Sequence, residues 1–157
     1  MQATHVDGIT IRPLRRGETS VVLAVFERLG PRSRGLRFGC AKEQLSAAEL
    51  DALTRIDGTH HALVAYADGA PVGIARLARD GELADVACAV ADDWQSRGVG
   101  TVLMEQLAAD ARAAGIVHLR ASMRAENGAP LALMRHVTTI EESHFECGEL
   151  EVVGRAA

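Results

Sequence analysis

Residues 95–101 read Gln-Ser-Arg-Gly-Val-Gly-Thr, and Gly98 and Gly100 stand at the mouth of a run with helical apolar spacing. Glycine inside a helix costs about 1 kcal/mol relative to alanine, so two within three residues point to a need for bare backbone. The first turn of a helix offers unpaired N–H groups and the positive end of the macrodipole, which together attract anions. Without β-carbons at Gly98 and Gly100 a phosphate could reach those donors, while Arg97 adds a cation and Thr101 a hydroxyl. The chemistry indicated is a grip on a diphosphate. A nucleoside-triphosphate loop requires lysine followed by Ser or Thr, whereas Thr101-Val102 follows Gly100 here. The dinucleotide fingerprint requires a third glycine where Leu103 stands and an acidic residue on the next strand, which residues 116–123 lack. A tight strand-to-helix turn would explain the glycines without any ligand.

Asp85 lies in the mostly apolar run of residues 82–91. Burying it without a partner is costly and would raise its pKa toward that of a working base; a solvated or ion-paired aspartate is the alternative. Cys88, in the same run, has no histidine partner nearby in sequence and reads as core packing. His60 and His61 begin a strand and so point to opposite faces. His144, Glu146 and Cys147 lack a fourth ligand, so no metal site is expected. The net charge of −4 argues against a nucleic-acid surface. Three cysteines without a CxxC pair argue against a disulfide framework. No run approaches the roughly 18 apolar residues of a membrane span, and the start shows no basic-then-apolar leader. A cytoplasmic protein with no membrane partner is the expectation.

The elements that must position these residues follow from periodicity. Ile9, Ile11 and Leu14 alternate as in a strand; residues 18–29 follow helical spacing and stop at Gly30-Pro31; Ser46 and Glu49 form a capping box. A hairpin turns at Asp68-Gly69, and residues 82–91 read as a strand buried on both faces. Val99, Val102, Leu103, Leu107 and Ala111 line one face of a helix ended by Gly115. Another strand, a short helix and a terminal strand or hairpin follow. The order predicts one domain over 1–157, an α+β fold with helices on the faces of a mixed sheet.

The stretch Gln95–Thr101 resembles the Q/R-x-x-G-x-G/A loop of the GNAT N-acetyltransferase superfamily, and the order of elements agrees with it from Thr10 to about Val137. Residues 26–38 also resemble the front half of bacterial Pat-like protein-lysine acetyltransferase domains. The resemblance implies a mixed, mostly antiparallel sheet of about six to seven strands flanked by about four helices. It implies acetyl-CoA as co-substrate, with Gln95, Arg97, Gly98, Val99, Gly100 and Thr101 on the diphosphate. The main chain of Val90 would pair with the pantetheine arm, and Asn127 would contact that arm; an Asn-Gly turn is the other reading of Asn127. By the same resemblance Asp85 corresponds to a basic glutamate of many relatives, and Met134 stands where many carry the tyrosine that protonates the departing thiolate. Arg32, Arg34 and Arg37 are either a solvated face or cations near the 3′-phosphate or the acceptor entrance. The implied activity is acetyl transfer to a primary amine, on a protein lysine or a small molecule. A non-catalytic acyl-CoA sensor remains the alternative, then a phosphate-binding scaffold of unrelated fold; homodimer formation stays open.

Overall fold

Alternating apolar residues build a sheet whose strands are β1 (Thr4–Val6), β2 (Ile9–Pro13), β3 (His60–Ala67), β4 (Ala70–Asp80), β5 (Leu83–Val90), β6 (His118–Arg124), β7 (Thr138–Glu146) and β8 (Glu149–Ala156). The computed structural model describes residues 4–6, 8–40 and 42–156. The strands run in the order β1-β2-β3-β4-β5-β6-β8-β7. Only β5 and β6 pair in parallel; every other neighbouring pair is antiparallel. Because β8 inserts between β6 and β7, the tail completes the sheet of its own chain. The helices are α1 (Thr19–Glu27), α2 (Pro31–Phe38), α3 (Ala47–Leu53), α4 (Val99–Ala113) and α5 (Gly128–Val137). This is the expected α+β architecture, with one helix and one short strand more than the sequence patterns disclose. Helix α2 escapes a periodicity search because it buries no residue; Pro31 starts it, and Gly39 ends it at φ 82°.

Each helix covers the face its apolar stripe dictates. Val99, Leu103, Leu107 and Ala111 of α4 pack with Met134 and Val137 of α5 on Leu63, Ala65, Val72, Ala75 and Val86. On the other face, Val21, Val22, Val25 and Phe26 of α1 pack on Ala62, Val64 and Ile74. The Ser46–Glu49 box forms in both directions, at 3.1 and 3.0 Å, and starts α3. Gly73 on β4 lets α4 settle close to the sheet, since a β-carbon there would meet Leu103 and Val99 at 3.0 Å. Among the described residues no helix is long and apolar enough to cross a membrane.

Strand β5 is not buried on both faces as its apolar run suggested. It pairs with β4 along its whole length, Leu83 opposite Asp80 through Val90 opposite Gly73. With β6 it pairs over three positions only, ending at Asp85 opposite Arg120. On its other edge β6 pairs with β8 along its whole length, His118 to Arg124, so past Asp85 the facing edges of β5 and β6 are unpaired and a wedge opens along residues 86–90. The missing neighbour leaves the second half of β5 only partly covered.

Candidate functional site

The wedge and the start of α4 lie together because the loop after β5 leads directly into the helix. Gly98 caps α4 at φ 88°, a conformation that demands glycine, and no side chain caps the helix there. Gly100 differs. It carries no positive φ, and a β-carbon would meet only Leu133 at 3.4 Å and Val90 at 3.7 Å, ordinary contact distances. The fold therefore explains Gly98 and leaves Gly100 unexplained; open access to the first-turn amides accounts for it. The amides of Val99, Gly100 and Thr101 have no preceding helical carbonyl to bond, and none donates to an acceptor elsewhere among the described residues. A diphosphate would satisfy such donors.

Two of the expected phosphate contacts have protein partners. The guanidinium of Arg97 stacks 3.7 Å from the centroid of the Trp94 ring and remains exposed. Gln95 folds back along the surface: its Nε2 donates to the Val90 carbonyl at 3.0 Å and to Ser33 Oγ at 3.2 Å. Asp92 completes this knot, accepting from the Gly30 amide at 2.9 Å and the Ser33 hydroxyl at 2.6 Å. Arg28 adds an ion pair to Asp93 at 2.8 Å. The loop is thus latched to the start of α2. Ser33 and Asp92 carry no motif; Asp92-Asp93 reads in sequence only as the end of a strand.

Ala91 donates to Val72 on β4 at 2.8 Å, so strand alternation turns the main-chain groups of Val90, Cys88 and Val86 toward the wedge. Asp85 stands at the wedge's apex. Both of its oxygens accept from Arg120, at 2.6 Å from Nε and 2.9 Å from Nη2, and its side chain is 53% exposed. The bidentate pair raises the pKa of Arg120. Arg120, unremarkable in sequence, is found only through the β5–β6 register. Asn127 caps α5, yet its side chain makes no capping bond, so the amide is open to a ligand. Met134 is buried in the core at 1% exposure. Tyr66, the one tyrosine, accepts from Arg12 at 2.8 Å, two strands away from β5.

Cys88 packs against the core, and burial pushes its thiol up to about 12; it is protonated at neutral pH and no nucleophile. His60 and His61 serve separate aspartates, Asp57 at 2.9 Å and Asp110 at 2.8 Å. Among the described residues no cluster of three metal-ligating side chains exists.

Comparison with known proteins accords with this geometry. The model of the acetyltransferase (GNAT) family matches residues 31–136. Acetyltransferase PA5475 of Pseudomonas aeruginosa is 39% identical over 114 residues, which span 68% of this chain and 61% of that protein. The chain therefore spans less than two thirds of that relative's length. The GNAT domain of S. lividans PAT superposes with a TM-score of 0.84 at 26% identity, covering 94% of this chain and 90% of that one. The paia N-acetyltransferase of Thermoplasma acidophilum, in complex with coenzyme A, has a TM-score of 0.69 at 13% identity, over 94% and 98% of the two chains. At that identity the likeness is one of fold. The family model spans more than half of the sequence, and the chain belongs to the GNAT acetyltransferase family.

Proposed function

We propose that the protein transfers an acetyl group from acetyl-CoA directly to a primary amine. The observation that carries this reading is the pairing of free first-turn amides, beside a glycine the fold does not require, with a wedge in the sheet at the same end of the molecule. Val99, Gly100 and Thr101 would bind the diphosphate through their amides, and Arg97 would leave Trp94 to add its charge. Val90 and the Asn127 side chain would align the extended arm. The carrier supplies the acyl group as an electrophilic thioester carbonyl. Main-chain N–H groups of β5 at the wedge would polarise that carbonyl. Asp85 is the proposed base, held by Arg120 and acting through water, because both its oxygens already accept hydrogen bonds. With Met134 buried, no side chain is assigned to protonate the departing thiolate, and water takes that role.

A thiol-release assay with acetyl-CoA and an amine panel tests the activity, and calorimetry with coenzyme A tests the loop. Gly100→Asp sets a carboxylate against the diphosphate and should weaken coenzyme A binding at least about 100-fold, with the circular dichroism spectrum unchanged. Equal affinity in wild type and variant would refute the loop assignment. Tight binding without thiol release from any acceptor would favour an acyl-CoA sensor, for which the absent tyrosine is the supporting observation.

A further inference from the structure

The face of the sheet opposite α4 holds a cavity that the diphosphate loop does not use. It lies under α1, α2 and α3, walled by apolar side chains such as Phe26 and Ile74 and floored by Ala87 and Ala89 of β5. Two arginines enter it, Arg37 from α2 and Arg76 from β4, with Arg76 directly opposite Ala87 in the β4–β5 register. Neither guanidinium has a hydrogen bond or ion pair with any described residue; that of Arg37 lies 4.9 Å from the Phe38 ring centroid, and Arg76 Nε is buried without a partner. Their neighbour Arg34 behaves differently: it donates to the carbonyls of Phe26, Lys42 and Glu43 and stacks 4.0 Å from the Phe26 ring centroid. Arg34 is a structural cation. Arg37 and Arg76 have no carboxylate or hydrogen-bond acceptor among the described residues.

An arginine stays charged in a protein, and a desolvated charge without a counter-ion is costly. Burial lowers the pKa of both side chains, and Arg76 lowers that of Arg37 further by like-charge repulsion. An anion between them would relieve both penalties at once. The position narrows which anion. The cavity is on the face away from the first turn of α4, so it is separated from the diphosphate by the sheet. It shares a face of β5 with Asp85, since residues 85, 87 and 89 alternate to one side. A molecule seated here approaches the wedge from the side opposite the carrier.

We propose that the acceptor is a small amine bearing a carboxylate, an amino acid with an apolar side chain, whose carboxylate is held by Arg37 and Arg76. The apolar walls would take the side chain and leave the amine toward the wedge. This inference rests on the acyl-transfer reading above. In the reaction the acceptor's ammonium loses two protons, one to solvent by way of Asp85 and one to the thiolate. The nitrogen bonds to the acyl carbon, the C–S bond breaks, and the products are the N-acyl amino acid and free coenzyme A thiol.

The test compares L-phenylalanine with phenethylamine and L-leucine with isoamylamine, pairs that differ only by the carboxylate. In wild type the carboxylate member should be preferred at least about tenfold in kcat/KM, mainly through KM. In Arg37→Gln and Arg76→Gln the preference should fall to within about twofold while coenzyme A affinity is retained. If these variants fail to fold, Arg37→Lys and Arg76→Lys keep the charge, lose the planar fork, and should show a partial drop. Binding is read separately by thermal shift with N-acetyl-L-phenylalanine and N-acetylphenethylamine, with and without coenzyme A. Stabilisation by the first alone, lost in the variants, supports the assignment even without turnover; stabilisation by neither overturns it. Equal use of paired amines, or a preference the variants keep, overturns it while leaving acyl transfer intact. A lysine peptide outperforming both amino acids overturns it in favour of a protein acceptor. If succinyl-CoA exceeds acetyl-CoA with a neutral amine, and the variants abolish that excess, the arginines serve the acyl group and the inference is again overturned. Failure of coenzyme A itself to bind would instead mark failure of the acyl-transfer reading.

Discussion

At the level of single residues, two glycines one position apart have different reasons to exist. Gly98 adopts φ 88°, which costs an alanine about 1–2 kcal/mol. Gly100 sits in the helical first turn with room for a methyl group, and alanine there gains up to about 1 kcal/mol of helix propensity. Gly98→Ala should therefore lower the urea midpoint, whereas Gly100→Ala should hold or raise it and still weaken coenzyme A binding. A loss of stability at Gly100 equal to that at Gly98 would reduce both to turn residues. Asp85 is the second case. Asp85→Asn keeps the shape of the side chain and part of its bonding to Arg120 but removes the proton acceptor. Turnover should fall about 10- to 1,000-fold, most steeply near neutral pH, with coenzyme A affinity retained. An unaltered pH–rate profile would remove Asp85 from the mechanism.

At the level of elements, the start of α1 is tied to the sheet by one carboxylate. Glu18 accepts from Arg12 on β2 at 2.8 and 3.0 Å and from the Arg15 amide at 2.6 Å, while Arg12 reaches on to Tyr66 on β3. The Arg12 hydrogen bond, foremost, holds the Glu18 carboxyl below the ordinary glutamate value. A carboxylate depressed by folding adds stability that is complete above its unfolded pKa, near 4.5, and is lost as pH falls through the lower folded value. Glu18→Gln should thus cost about 1 kcal/mol at pH 7, and its gap from wild type should close as pH drops below about 4.5. Chemical denaturation at several pH values reads this directly; a gap independent of pH would mean the glutamate acts by shape alone. The same scale explains what was legible. The stripe of α4, the Asp68-Gly69 turn and the Ser46 box each declare themselves within ten residues or so, because local hydrogen bonds and one buried face create them. Helix α2 does not, since it has no buried stripe and stands on contacts with distant residues such as Asp92.

At the level of the whole molecule, the site exists because neighbouring strands part company. Strand β5 follows β4 to Val90, while β6, paired with β8 along its whole length, stays beside β5 only as far as Arg120. The sheet divides the space around that wedge into two sides: α4 offers its amides on one, and the arginine cavity opens on the other. The two-substrate reaction proposed above would use such a division. What the sequence alone determined is the family, the α+β order, the glycine loop that opens α4 and the position of Asp85 on its strand, because glycine spacing and periodicity are properties of adjacent residues. The tertiary structure alone decided that Asp85 meets Arg120, that Gln95 turns to Val90 and Ser33, and that Arg37 and Arg76 share one cavity. Those pairings join positions 35, 62 and 39 apart in the chain, and only the packing of sheet and helices brings them within reach.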